Sequence, residues 1–168
     1  EVIAYRPGWC NFMGGINDIL NGVAEADTKA NIAAILDKLR TAGIRTALCS
    51  VYPLGSGHAG FTTANNLKIL ALNRWLREQA QARSLVWVDT WAALIDRTAV
   101  APQAATGMLR DNLHCTAQGA RAAGAAWAAA MQPFVRDRGD HVSTQADRDD
   151  DAPTRPQLHS NPLFQATE

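Results

Sequence analysis

An excess of either charge is what this sequence most clearly lacks: 16 Lys+Arg stand against 16 Asp+Glu in 168 residues. A nucleic-acid binder normally carries a basic excess or stripe, so no nucleic-acid partner is expected. Cysteine is scarce. Cys10, Cys49 and Cys115 are odd in number and widely spaced, and they form neither a disulfide framework nor a zinc pattern. Two of them lie in apolar runs and read as small buried hydrophobes. Long hydrophobic runs are missing, and no stretch approaches the roughly 18 apolar residues of a membrane span. The opening Glu1-Val2-Ile3-Ala4-Tyr5 has no initiator Met, basic n-region or signal-like h-region. It reads as an internal start, from which no compartment follows.

What the chain has is alanine, 31 of its 168 residues, within a hydrophobic content of 47%. That content excludes wholesale disorder. Alanine favours helix but buries little surface, so the five Trp and the Leu/Ile/Val set must carry the packing. Composition shifts near residue 137. The segment 138–168 is polar, holds Asp149-Asp150-Asp151 and three prolines, and has a net charge of −3. It reads as a disordered linker or tail, leaving 1–137 as the folded domain.

Within 1–137, apolar segments alternate with turn signals. Trp9 to Met13 follows Pro7-Gly8 and reads as a buried strand. Residues 28–42 carry Ile32, Ile35, Leu36 and Leu39 at amphipathic-helix spacing, with Asp27 or Thr28 as cap and Gly43 as stop. Ile44 to Tyr52 reads as a second strand and Leu54 to Gly60 as a flexible, glycine-rich loop. Thr63 to Ala82 is a second helix, Leu85 to Val88 a third strand, and Trp91 to Ile95 a helical turn. Residues 98–110 read as loop, and Thr116 to Met131 as a third long helix capped by Thr116. This alternation is the signature of an α/β fold with a parallel sheet covered on both faces. Sites in such sheets lie at the carboxyl ends of the strands.

Two loops at those ends carry chemistry. Met13-Gly14-Gly15-Ile16-Asn17-Asp18 pairs glycines, which allow close backbone approach, with an Asn whose amide can be a fixed donor to an oxyanion. Ordinary turn chemistry accounts for the same residues. Asp111-Asn112-Leu113-His114 puts a carboxylate three residues from an imidazole before a helix. The carboxylate can fix the ring tautomer and leave the other nitrogen as a general base. Capping or surface solvation is the alternative.

Together the two blocks resemble the SGNH (GDSL-type) hydrolases. Gly15-Ile16-Asn17-Asp18 is similar to that family's Gly-x-Asn-Asp block, and Asp111-Asn112-Leu113-His114 followed by Thr116-Ala117-Gln118-Gly119 to its Asp-x-x-His block. Pro7-Gly8-Trp9, Asn73-Arg74-Trp75-Leu76 and Val88-Asp89 add to a likeness over about residues 1–135. The resemblance implies a flavodoxin-like, three-layer α/β/α parallel sheet. It also implies a serine ester hydrolase acting on a small-molecule or carbohydrate ester without metal or other cofactor. Asp111 and His114 would be catalytic, and Asn17 and Gly15 would form the oxyanion hole.

One block of the family is not found. No serine here (Ser50, Ser56, Ser84, Ser143, Ser160) stands in the Gly-Asp-Ser context of the family's nucleophile. The chain is expected to lack its first strands, to be catalytically incomplete and marginal as a fold, and to need a further domain or chain that supplies them. The strand at Trp9 would then have an open apolar edge. A non-catalytic binding module derived from the same fold is the alternative function. Ser56, between two glycines, and Cys115, beside His114, read as a loop residue and a structural thiol. His58 reads as an exposed loop histidine.

Overall fold

In the computed structural model, residues 2–134 are described. Three parallel strands lie side by side in chain order: β1 (Trp9–Phe12), β2 (Arg45–Cys49) and β3 (Val86–Val88). The crossovers carry α2 (Glu25–Thr41) and α3 (Thr63–Ala82). Short helices follow the first and third strands, α1 (Ile16–Leu20) and α4 (Thr90–Leu94), and α5 (Ala117–Met131) comes last. The tail segment 138–168 lies outside the described residues. Among those that are described, no helix is long and apolar enough to cross a membrane.

Strand alternation sorts the core into two faces. The register aligns Phe12 with Leu48 and Leu48 with Trp87, and these pack with Ile32 and Leu36 of α2 and Ile69, Leu72 and Leu76 of α3. Ala47, Cys49 and Val88 point the other way, against Ala126, Ala130 and Met131 of α5. The result is the expected three-layer α/β/α arrangement, with helices on both sides of a parallel sheet.

The helices keep most of their expected bounds. α3 starts and ends where its periodicity predicts, with Thr62 Oγ1 accepting from Asn65 N–H at 2.9 Å. α5 is capped by Thr116, whose hydroxyl accepts from Gly119 N–H at 3.1 Å. α2 begins earlier than expected, after Ala24, which makes no side-chain cap bond. Thr28 is not a cap because it is 2% exposed and belongs to the core. Glu25 and Asp27 in the first turn complement the helix dipole instead. Ile35 sits at the flank of the apolar stripe and is 40% exposed. A short helix over Ile16–Leu20 was not expected, because five residues are too few to show a period.

The second strand is shorter than its composition suggests, and what replaces its ladder positions the site. Ser50 N–H still donates to Val88 C=O at 2.9 Å, and from Val51 onward side-chain amides of α3 take over. Asn73 accepts from Val51 N–H at 2.8 Å and donates to Val51 C=O at 2.7 Å. Asn66 does the same for Leu54, at 2.9 and 3.3 Å, and also donates to Pro102 C=O at 2.7 Å. Both asparagines are buried, on the stripe shared with Ile69, Leu76 and Ala80. The loop expected to be flexible is therefore anchored at its start, where Pro53, Leu54 and Gly55 are buried.

Candidate active site

The chain leaves β1 through Phe12 and turns at Gly15, which has φ +106° and precedes α1. A side chain there would be strained by that angle, and its Cβ would lie 2.6 Å from Leu72 Cδ2 of α3. Gly15 thus lets α1 seat on α3. Two residues along, Asn17 is exposed, and among the described residues its side-chain amide has no intramolecular hydrogen bond. It is available as a donor at the carboxyl end of β1.

The second block lies between β3 and α5. His114 Nδ1 is 2.7 Å from Asp111 Oδ2. The other oxygen, Oδ1, accepts from the backbone N–H of His114 at 2.6 Å and of Leu113 at 3.1 Å. The backbone N–H of His114 and then its ring hold the Asp111 carboxyl well below the usual carboxylate range. An ionised Asp111 accepts a hydrogen bond from the Nδ1–H of His114, which leaves Nε2 with its lone pair. Both side chains are open to solvent, at 49% for Asp111 and 58% for His114. Two cavities, of about 270 and 440 Å³, lie elsewhere, beside α1 and at the amino-terminal end of the sheet, and neither includes the pair.

Asp111 and His114 are thus brought together directly. Gly15 and Asn17 lie on a different element, and the loop after β2 touches the Asp111–His114 block and, beyond Asn17, the end of α1. Its Gly60 packs against Leu20 of α1, and its Gly55 and Gly57 pack against Asn112.

The remaining nucleophile candidates differ in their surroundings. Ser50 is wholly buried. It donates toward Asp89 Oδ1 at 3.4 Å, accepts from Trp91 N–H at 2.7 Å and lies 3.2 Å from the Thr90 hydroxyl. Ser84 follows α3 at φ +53°. Ser56 is exposed in the loop after β2. Cys115 is half-buried, and burial pushes its thiol up, away from a reactive thiolate. His58 is half-buried rather than exposed. Its Nδ1 accepts from Gly60 N–H at 2.9 Å, which puts the proton of its neutral ring on Nε2.

Three residues near the site escaped sequence reasoning. Tyr52 is half-buried, and its phenol is pushed up by burial and then by Cys115 and Asp111, so it stands by the pair. Asn66 was legible in principle, as an amide inside an apolar stripe. Asn112 has no assigned role in the Asp-x-x-His spacing, and its left-handed φ of +62° has no sequence signal beyond the tolerance of Asn for that region.

A model of the GDSL-like lipase/acylhydrolase family matches residues 1–122. No curated protein matches the chain. Among solved structures, the fold is similar to a GDSL-like lipase from Bacteroides thetaiotaomicron, with a TM-score of 0.70 and 21% identity over 80% of this chain and 66% of that one. It is likewise similar to an acetylxylan esterase from Geobacillus stearothermophilus, with a TM-score of 0.65 and 19% identity over 82% of this chain and 65% of that one. The chain thus spans just under two thirds of the length of these structures. The family match covers both loop blocks on which the resemblance was read, and the chain belongs to the GDSL-like lipase/acylhydrolase family.

Proposed function

We propose that these residues supply the acid–base pair and the oxyanion donors of a serine ester hydrolase whose nucleophile stands on a segment outside the 168 residues. The observation that carries this reading is the Asp111–His114 pair at 2.7 Å, on the same sheet end as Asn17. The serine hydroxyl attacks the ester carbonyl while His114 Nε2 takes its proton. The carbonyl oxygen becomes an oxyanion, met by the Asn17 amide with the Gly15 backbone N–H as a second donor. Collapse breaks the ester C–O bond, and the His114 imidazolium gives its proton to the leaving alcohol. Water then attacks the acyl-enzyme, His114 takes its proton, and the acid departs as the serine regains its hydrogen. Asp111 stays ionised throughout and orients the ring.

The exposure of the pair supports this reading, because a wall of the cleft contributed by another segment would cover it. The substrate is a small-molecule or carbohydrate ester. For the Geobacillus acetylxylan esterase, a serine-to-alanine and an aspartate-to-alanine variant are each described as catalytic mutants. The second reading, a non-catalytic module of the same fold, is favoured by the burial of Ser50 and by the absence of a Gly-Asp-Ser block from the sequence.

The test extends the chain with the coding sequence that precedes it and measures hydrolysis of a small acetyl ester. The expected result is a Gly-Asp-Ser block in that segment and hydrolysis that falls by about 10³-fold or more in His114→Ala. Asn17→Ala should lower kcat by about 10²–10³-fold. A preceding sequence without such a block, or hydrolysis indifferent to His114, would overturn the enzyme reading in favour of the module.

A further inference from the structure

The turn that carries Asp111 and His114 is not held by these two residues alone. Asn112 has φ +62°, and its backbone C=O accepts from Gly55 N–H at 2.8 Å. Its side chain fills the space that two glycine side chains would otherwise take. A Cβ on Gly55 would lie 2.5 Å from Asn112 Oδ1, 2.8 Å from its Cβ and 3.0 Å from its Cα. A Cβ on Gly57 would lie 2.5 Å from Asn112 Nδ2, and its other near neighbours are also side-chain atoms of Asn112. The loop that presents these glycines is fixed in turn. Leu54 is bonded on both backbone groups to the buried Asn66, and its C=O also accepts from Ala104 N–H at 3.0 Å. The same loop touches α1 through Gly60 and Leu20.

We infer that Asn112 is a positioning residue, wedged between Gly55 and Gly57 so that the loop after β2 fixes where the Asp111–His114 pair stands relative to the helix carrying Asn17. The physical basis is close packing. Two missing side chains leave a slot that one amide occupies, and interfaces of this kind shift in steps rather than bending smoothly. The left-handed backbone at Asn112 turns the chain so that both Leu113 N–H and His114 N–H reach the Asp111 carboxylate. Displacing the wedge therefore removes N–H donors from Asp111. The inference rests on the proposed roles of Asp111 and His114 for its catalytic meaning, but the coupling itself is measurable without catalysis.

The experiment is a mutant cycle on the 168-residue chain, read by carbon-detected NMR titration of the Asp111 carboxyl. Gly57→Ala puts a methyl onto the Asn112 side chain and is expected to raise the Asp111 midpoint by about one pH unit or more, toward the ordinary value near 3.9. Asn112→Gly alone keeps the left-handed backbone and is expected to move it less. The double variant Gly57→Ala/Asn112→Gly removes the overlap and is expected to return the midpoint to within a few tenths of the Asn112→Gly value. Gly55→Ala, which also meets the Asn112 backbone, is expected to be rescued only in part. Far-UV circular dichroism and melting report whether each variant folds.

A lowered melting temperature with an unmoved Asp111 midpoint in Gly57→Ala would overturn the inference, leaving a structural contact only. So would a double variant no better than Gly57→Ala. If instead the midpoints follow the cycle while ester hydrolysis in the extended chain ignores His114→Ala, the catalytic reading fails and the coupling stands.

Discussion

The two faces of the sheet are built to different standards. On one, Leu48 and the aromatic flanks Phe12 and Trp87 meet Ile32, Leu36, Ile69, Leu72 and Leu76 from two long helices. On the other, Ala47, Cys49 and Val88 meet a helix that buries only Gly119 and Met131. The first face is a complete core. The second rests on alanines, and beside it β1 pairs with β2 alone among the described residues, while Trp127 is 36% exposed. A parallel strand is normally covered and paired on both sides. The proposed chemistry therefore leans on one face only: Ile16, Ile19 and Leu20 of α1 and Leu113 beside His114 pack against the complete core, whose asparagine clamps also hold the loop after β2.

The largest expected effect is on the complete face. Leu76→Ala removes a side chain of no exposure and is expected to lose about 3–5 kcal/mol of unfolding free energy in urea titration. Met131→Ala, on the thin face, is expected to lose about 2 kcal/mol, because the alanine-rich surroundings can close over the gap. Equal losses would erase the contrast.

The clamps come next. Asn73→Ala leaves the N–H and C=O of Val51 without their partners and is expected to lose about 2–3 kcal/mol. Asn17→Ala breaks no intramolecular bond of its amide among the described residues and is expected to change stability by less than about 0.5 kcal/mol. Chemical denaturation of the two variants side by side checks whether a structural asparagine and the proposed oxyanion donor separate in this way.

Alkaline pH provides a smaller, graded effect. Burial pushes the Cys49 thiol up to about 11, from an ordinary value near 9. The folded state therefore holds a proton that the unfolded state gives up, so Cys49 contributes stability below pH ~9 that is lost as pH rises toward 11. Cys49→Ala is expected to flatten that part of a melting-temperature profile against pH. An unchanged profile would show that the thiol ionises freely in the folded protein. The smallest effect belongs to the surface. Arg40→Ala, which breaks the exposed pair with Asp37, is expected to change stability by no more than about 0.5 kcal/mol in the same titration.

How much of this was legible in the sequence follows from where each feature takes its order. The long elements were legible because their side-chain period is local: Ile69, Leu72, Leu76 and Ala80 mark α3, and Thr116 caps α5 by a rule written in neighbouring residues. The end of β2 was not, because Val51 and Leu54 pair with asparagines 22 and 12 positions away. The inward turn of Thr28 was hidden by its suitability as a cap. In the site, the Asp111–His114 contact follows from a spacing of three, so the sequence indicated it. The wedge of Asn112 between Gly55 and Gly57 joins segments more than fifty residues apart and needs the fold to be seen.

The central claim is that this chain carries a poised acid–base pair and an oxyanion donor but not the nucleophile. A fluorophosphonate probe tests it most directly, read on the 168-residue chain by intact mass and peptide mapping. The folded 168-residue chain is expected to stay unlabelled, and the chain extended by its preceding coding sequence to be labelled at one serine of the added segment, with labelling lost in His114→Ala. Labelling of the 168-residue chain itself at one serine, Ser56 being the exposed candidate, and its loss in His114→Ala, would contradict the account and place a complete site within these residues.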